Sequence, residues 1–154
     1  MTGEQIPGFD GVFVGSFVHS LDPKKRLTIP SDWREQVGEP TTLYVLPGVD
    51  SACLSVLPAR EMSRKLEKIR KHSMSDKKAR HFARVLASRS DLVSFDSQGR
   101  IRVKDELLAF AGLTDQVMLV GAFEGFELWS PERWKEQGGD DDRSLEDAAA
   151  YVGF

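Results

Sequence analysis

One stretch occurs twice in this chain, and that duplication limits its architecture more than any other feature. Leu21-Asp22-Pro23-Lys24-Lys25-Arg26-Leu27-Thr28-Ile29-Pro30 returns as Phe95-Asp96-Ser97-Gln98-Gly99-Arg100-Ile101-Arg102-Val103-Lys104. In each copy an apolar residue precedes Asp, an Arg follows four positions after it, and an alternating apolar pair comes next. The register continues downstream, with Trp33 opposite Leu107, Val37 opposite Ala111 and Gly38 opposite Gly112. Leu43–Leu46 then matches Val117–Val120. After a loop two residues longer in the first copy, Leu54–Leu57 matches Phe126–Trp129. Aligned register of this length implies a duplicated module.

A length of 154 residues, 40% apolar and with nine Phe and three Trp, suits one domain or two small halves around a shared core. No apolar run reaches the roughly 18 residues a membrane span requires. No secretory pattern opens the chain, so cytoplasm is the expected location. The lone Cys53 lies in an apolar run, where it serves as a small hydrophobe. Charge is unevenly spread. Residues 60–89 carry 11 Lys and Arg against 3 Asp and Glu, whereas 138–154 carry 1 against 5. The basic band is read as a solvated helix face.

Taken in order, residues 1–11 read as a mobile leader, and Phe13–Leu21 as a strand with Phe17, His19 and Leu21 on one face. Asp22-Pro23 opens a turn, since Asp accepts local N–H groups and Pro pre-sets φ. Leu27 and Ile29 point opposite to Arg26 and Thr28, which predicts a hairpin with its charge at the tip. Val93, Phe95, Ile101 and Val103 repeat the pattern. Ser31 and Asp105 are expected to cap short helices that end at Gly38 and Gly112. Leu43–Leu46 and Ala52–Leu57 are the next strands, matched by Val117–Val120 and Gly125–Trp129. Pro58 and Pro131 open helices. Met62, Leu66 and Ile69, then Ala79, Phe82, Ala83 and Leu86, form two stripes at helical spacing. They predict a helical hairpin with its apolar side on the core, broken and recapped at Ser73–Asp76. The acidic tail is expected to be disordered, with a helical turn around Leu145–Ala150. The resulting division is a leader (1–11), a first module (12–58), linking helices (59–89), a second module (90–137) and the tail (138–154).

No metal-ligand spacing, phosphate loop or nucleophile elbow is present, so no cofactor, metal site or catalytic set is assigned. His19, His72 and His81 read as structural or surface residues. The constellation above background is the pair of tips, with Lys24, Lys25 and Arg26 on one and Gln98, Arg100 and Arg102 on or beside the other. Long cationic donors on a two-stranded ribbon suit the DNA major groove, where Arg and Lys donate to guanine O6 and N7. The same residues allow a second role, in which Asp22 and Asp96 pair with Arg26 and Arg100 to stiffen the turns. Residue chemistry leaves both open.

These strings, from His19 through Pro30, from Asp96 through Ile101, and from Val117–Gly121 to Phe126–Trp129, closely resemble the MraZ family over about residues 13 to 135. The resemblance implies an α+β fold of two pseudo-symmetric swapped-hairpin modules of the AbrB/MazE type, related to double-psi barrels, with a helical hairpin between them. It implies a nucleoid-located regulator of the division and cell-wall gene cluster that binds repeated double-stranded promoter DNA as a ring of subunits. No small-molecule substrate and no membrane partner are implied. The family's DNA-contacting motif falls on Asp22, Lys24 and Arg26 and on Asp96 and Arg100. The alternative is an antitoxin-like protein-binding module, because MazE-type folds also hold partner proteins. Two departures stand out: Lys25 replaces the family's usual Gly, and Lys104 stands where the first copy has Pro30. A left-handed Lys25 would carry a backbone cost of roughly 1–2 kcal/mol.

Overall fold

The computed structural model describes residues 12–72 and 75–154, so the expected leader and the Ser73-Met74 break lie outside the described residues. The duplication emerges as two runs of seven elements in one order. The first half contains β1 (Ser16–Ser20), β2 (Arg26–Thr28), α1 (Ser31–Val37), β3 (Thr42–Pro47), β4 (Leu54–Pro58), α2 (Ala59–Arg70) and α3 (Lys77–Arg89). The second contains β5 (Asp91–Ser94), β6 (Arg100–Arg102), α4 (Asp105–Ala111), β7 (Gln116–Gly121), β8 (Phe126–Trp129), α5 (Pro131–Glu136) and α6 (Asp142–Val152). The chain is a mixed α+β protein with an antiparallel sheet and, among the described residues, six helices.

Strand pairing departs from the expected hairpins. β1 and β2 do not form a ladder with each other, and neither do β5 and β6. β1 pairs with β7 of the other half, β5 with β3, and β2 with β6. The five-residue β1 obtains five register pairs from β7, which the three-residue β2 could not offer. The large sheet runs β1-β7-β8-β4-β3-β5, an order unchanged when the two halves are exchanged. Its pseudo-dyad passes through Ser55 opposite Glu127, and that of the β2–β6 ribbon through Leu27 opposite Ile101. Inward residues of both halves meet in one core: Leu27, Ile29, Leu43, Val45, Leu54 and Val56 with Ile101, Val103, Val117, Leu119, Phe126 and Leu128. Trp33 stacks on Phe126 with ring centroids 4.7 Å apart, and its indole N–H donates to the Val14 carbonyl at 2.9 Å. An indole can be buried here because its polar edge has a partner.

The short helices begin one residue earlier than predicted. Pro30 and Lys104 occupy the N-cap positions without a side-chain cap, so Ser31 and Asp105 are first helical residues, not caps. Extended backbone at Pro30 (ψ 141°) and Lys104 (ψ 152°) fixes each entry. Gly38 and Gly112 end the helices at φ 73° and 66°, conformations in which a Cβ is strained. Carbonyls left at these ends accept from arginines on later helices. Arg60 Nη1 and Nη2 reach Val37 and Gln36 at 2.7 Å each, and Arg133 Nη1 reaches Phe110 at 3.0 Å.

Two further corrections concern the helices outside the sheets. The apolar stripes of α2 and α3 are not buried on the core: Met62, Leu66, Ile69, Ala79, Ala83 and Leu86 are half-buried, and Phe82 is 43% exposed. The sheet face is already filled by the other half, which leaves these helices at its margin. The acidic tail, expected to be disordered, contains the eleven-residue α6. Asp141 caps it by accepting from the Arg143 N–H at 3.0 Å, and Gly153 closes it at φ 73°.

Candidate nucleic-acid interface

Each duplicated turn is built on its aspartate. In the first, Asp22 Oδ1 accepts from the backbone N–H of Lys24 at 2.9 Å and of Arg26 at 2.7 Å, while Oδ2 accepts from Arg26 Nε at 2.6 Å. In the second, Asp96 Oδ1 accepts from Gln98 and Arg100 at 2.9 and 3.0 Å, and Oδ2 from Arg100 Nε at 2.8 Å. Main-chain bonds close both loops, from Lys25 N–H to the Asp22 carbonyl and from Gly99 N–H to that of Asp96. The spacing of four follows from this geometry, because one carboxylate must bind the backbone and the guanidinium of the same Arg. Backbone donation, chiefly from Arg100, lowers the Asp96 carboxyl to about 2, and the Arg26 N–H likewise lowers Asp22. The turn-stiffening role left open by residue chemistry is therefore present in the structure.

The residue before each Arg is left-handed, with φ 61° at Lys25 and 76° at Gly99. A Cβ on Gly99 would overlap the Arg34 guanidinium, which itself donates to the Ile29 carbonyl at 2.8 Å. Lys25 is exposed, and its amine lies 3.3 Å from Asp105 Oδ1.

Because β2 and β6 pair with each other, the two tips share a single ribbon. Leu27 and Ile101 point into the core at 1% exposure, which by alternation sends Arg26, Thr28, Arg100 and Arg102 to the opposite face. Arg26 lies opposite Arg102, and Thr28 opposite Arg100. Arg100 Nη1 also comes within 3.7 Å of Asp22, which couples the tips across the pseudo-dyad. Thus Arg26, Arg100 and Arg102 come together on one surface. Lys24, Lys25 and Gln98 are exposed on the turns around it. Each guanidinium of the two turn arginines is oriented through Nε, a geometry that fixes where its terminal nitrogens sit.

Asp105 is the residue that sequence reasoning missed at this site. Its carboxylate bonds Arg102 Nη2 at 2.9 Å and Lys25 Nζ at 3.3 Å, joining the second strand to the first turn. These two cations lower its pKa. The available signal was Asp105 three residues after Arg102, but its partner Lys25 lies 80 positions away. Elsewhere, Cys53 is 2% exposed and burial pushes its thiol up to about 12, as for an unreactive hydrophobe. No helix among the described residues is long and apolar enough to cross a membrane.

Residues 12–85 and 86–151 each match the family described as "MraZ protein, putative antitoxin-like". The chain belongs to the MraZ family. Its second family unit runs through α6, so the tail helix is the counterpart of α3 and not an appendage outside the repeat. Among curated relatives, the transcriptional regulator MraZ of Thermomicrobium roseum is 39% identical over 126 residues, 82% of this chain and 87% of that protein. The one of Clostridium tetani is 34% identical over 125 residues, 81% and 86% of the two chains. That of Finegoldia magna is 30% identical over 138 residues, 90% and 94%. Membership in a family whose relatives are named transcriptional regulators supports the same role here.

Proposed function

We propose that this MraZ-family protein is a sequence-specific DNA-binding regulator that inserts the β2–β6 ribbon into the major groove. The observation that carries the proposal is the convergence of Arg26, Arg100 and Arg102 on the outward face of one two-stranded ribbon. A major groove about 12 Å wide admits such a ribbon, and guanidinium forks match the O6 and N7 acceptors of guanine. Arg26 and Arg100, held by Asp22 and Asp96, are the base readers in this scheme. Lys24, Lys25 and Gln98 on the tips contact flanking phosphates, and Arg102 reads or anchors according to register.

The proposal extends to the biology implied by the family likeness: promoter repeats ahead of the cell-division and cell-wall gene cluster, on the nucleoid, in the cytoplasm. On this reading the two halves are swapped-hairpin modules, spanning 12–58 and 90–137, that share one core. A single ribbon neutralises few phosphates, so tight binding requires several copies acting on spaced repeats, as a ring-shaped homo-oligomer provides. The test is fluorescence anisotropy of the full chain on DNA from upstream of its own gene, over a salt series. Binding that weakens steeply with salt, exceeds binding to scrambled DNA and is lost on combining Arg26→Ala with Arg100→Ala supports the proposal. Equal binding to scrambled DNA, or an unaffected double variant, overturns it.

A further inference from the structure

Lys25, Arg102 and Asp105 form a charged cluster at one end of the β2–β6 ribbon, and the other end has no equivalent. The register of the duplication sets Lys25 against Gly99, Arg102 against Thr28 and Asp105 against Ser31, so none of the three has a charged counterpart. Antiparallel pairing gathers them: Arg102 lies opposite Arg26 beside the first turn, and α4 begins at Asp105. Asp105 bonds both cations, and the Val103 carbonyl accepts from Arg102 Nη1.

The fold does not call for this cluster. Asp22 and Asp96 each accept two backbone N–H groups and so build their turns, whereas Asp105 bonds two cationic side chains. An acidic residue suits the positive end of a helix, but α4 has Glu106 in the same turn, and α1 starts on Ser31 with Asp32 next. The side chains of Lys25, Arg102 and Asp105 are 54%, 44% and 60% exposed, and ion pairs this exposed contribute little stability. Their effect is on charge. The carboxylate repels phosphate and occupies two cations that DNA of any sequence would attract.

We infer that Asp105 is a specificity-determining residue of the ribbon, one that withholds Lys25 and Arg102 from DNA phosphates and orients Arg102 for base edges. The inference rests on the DNA-binding reading above and settles within it the part that Arg102 takes. Phosphate attraction supplies essentially all of non-specific binding and carries no sequence information. A carboxylate shared by two cations weakens that attraction on every DNA. At a matching site the weakening is offset, because Arg102 is held by Asp105 through Nη2 and by the Val103 carbonyl through Nη1. These two bonds set the plane in which its remaining N–H groups meet guanine. Asp105 thereby widens the gap between operator and other DNA without contacting a base itself.

The test is fluorescence anisotropy of the full chain, Asp105→Ser and Asp105→Asn, on DNA from upstream of its own gene and on a scrambled duplex. Ser starts α1, so Asp105→Ser is expected to fold, with a melting temperature near that of the unaltered chain. Both variants should bind scrambled DNA about fivefold more tightly, and the operator-to-scrambled ratio should fall by about the same factor. On scrambled DNA the slope of log K against log salt should steepen by about 0.9 for each cation released. Glu106→Gln is the control: it removes one exposed charge from the same helical turn and should change the ratio less than about twofold. In a Lys25→Gly, Arg102→Thr background, which carries the other end's residues, Asp105→Ser should no longer raise scrambled binding by more than about twofold. An unchanged ratio in both Asp105 variants, or an equal fall with Glu106→Gln, overturns the inference while the DNA-binding reading stands. Loss of the fold in both Asp105 variants overturns it too, because Asp105 would then be a structural residue. An unaltered chain that binds both DNAs alike overturns the inference and the DNA-binding reading together.

Discussion

Arg26 and Arg100 occupy equivalent positions but are not held alike. Arg100 is bonded by Asp96 and approached by Asp22, and its side chain is 20% exposed, against 31% for Arg26. Arg26 is also flanked by Lys24 and Lys25, while Arg100 follows Gln98 and Gly99. Arg26→Ala or Lys24→Ala should therefore weaken operator binding more than Arg100→Ala, measured by anisotropy on one DNA with folding confirmed by circular dichroism. Loss of a base contact should remove roughly 1–3 kcal/mol of sequence discrimination. Lys25→Gly tests the departure from the usual Gly. Relief of the left-handed side chain at φ 61° should raise stability by about 1 kcal/mol in urea titration. Loss of the amine should flatten the slope of log K against log salt by about 0.9 if it contacts a phosphate. The aspartates set the acid limit of the turns. A carboxyl held at about 2 when folded and near 4 when unfolded stabilises the fold fully above pH 4, and that contribution disappears as pH falls through 2. Asp96→Asn should thus lower stability at neutral pH and make its decline between pH 4 and 2 shallower, as read from melting temperature against pH.

The elements show what a sequence carries locally and what it leaves to the fold. Strands β3, β4, β7 and β8 were legible because period-two alternation and bounding turns are local properties. The Asp-to-Arg turns were legible too, since both partners lie within five residues. The helix starts were misplaced by one because Ser31 and Asp105 have capping chemistry, yet Asp105 spends its carboxylate on Arg102 and Lys25. Pairing of β1 with β7 was not legible, because register is decided by which ladder is long enough and which residues must be covered. Helix C-termini follow the same logic. The glycines at 38 and 112 could be read locally, but Arg60 and Arg133, which satisfy the carbonyls beside them, come from 24 and 23 residues further on. Arg60→Ala should leave the Gln36 and Val37 carbonyls without these donors, at about 1–3 kcal/mol. Urea denaturation should register that loss with little change in the circular dichroism spectrum of the native protein.

At the scale of the whole molecule, the two halves are folded through each other and not side by side. In the first half alone, β1 would lose β7, β2 would lose β6, β3 would lose β5 and β4 would lose β8. Only the β3–β4 hairpin would remain, and a lone hairpin is marginal in water. Leu27, Val45 and Val56, each at most 1% exposed in the full chain, would lose much of their cover. Yet the sheet order is unchanged on exchanging the halves, so a second copy of the first half can stand where the second half stood. Its β1 would meet the partner's β3, and two β2 strands would form the ribbon about a true dyad. The fragment 12–89 should therefore be largely unfolded at low concentration and fold as it dimerises, with a melting temperature that rises with concentration. Circular dichroism and sedimentation over a hundredfold concentration range would show this. A fragment that melts cooperatively as a monomer would mean that the exchanged strands are dispensable, and that each half holds a core of its own.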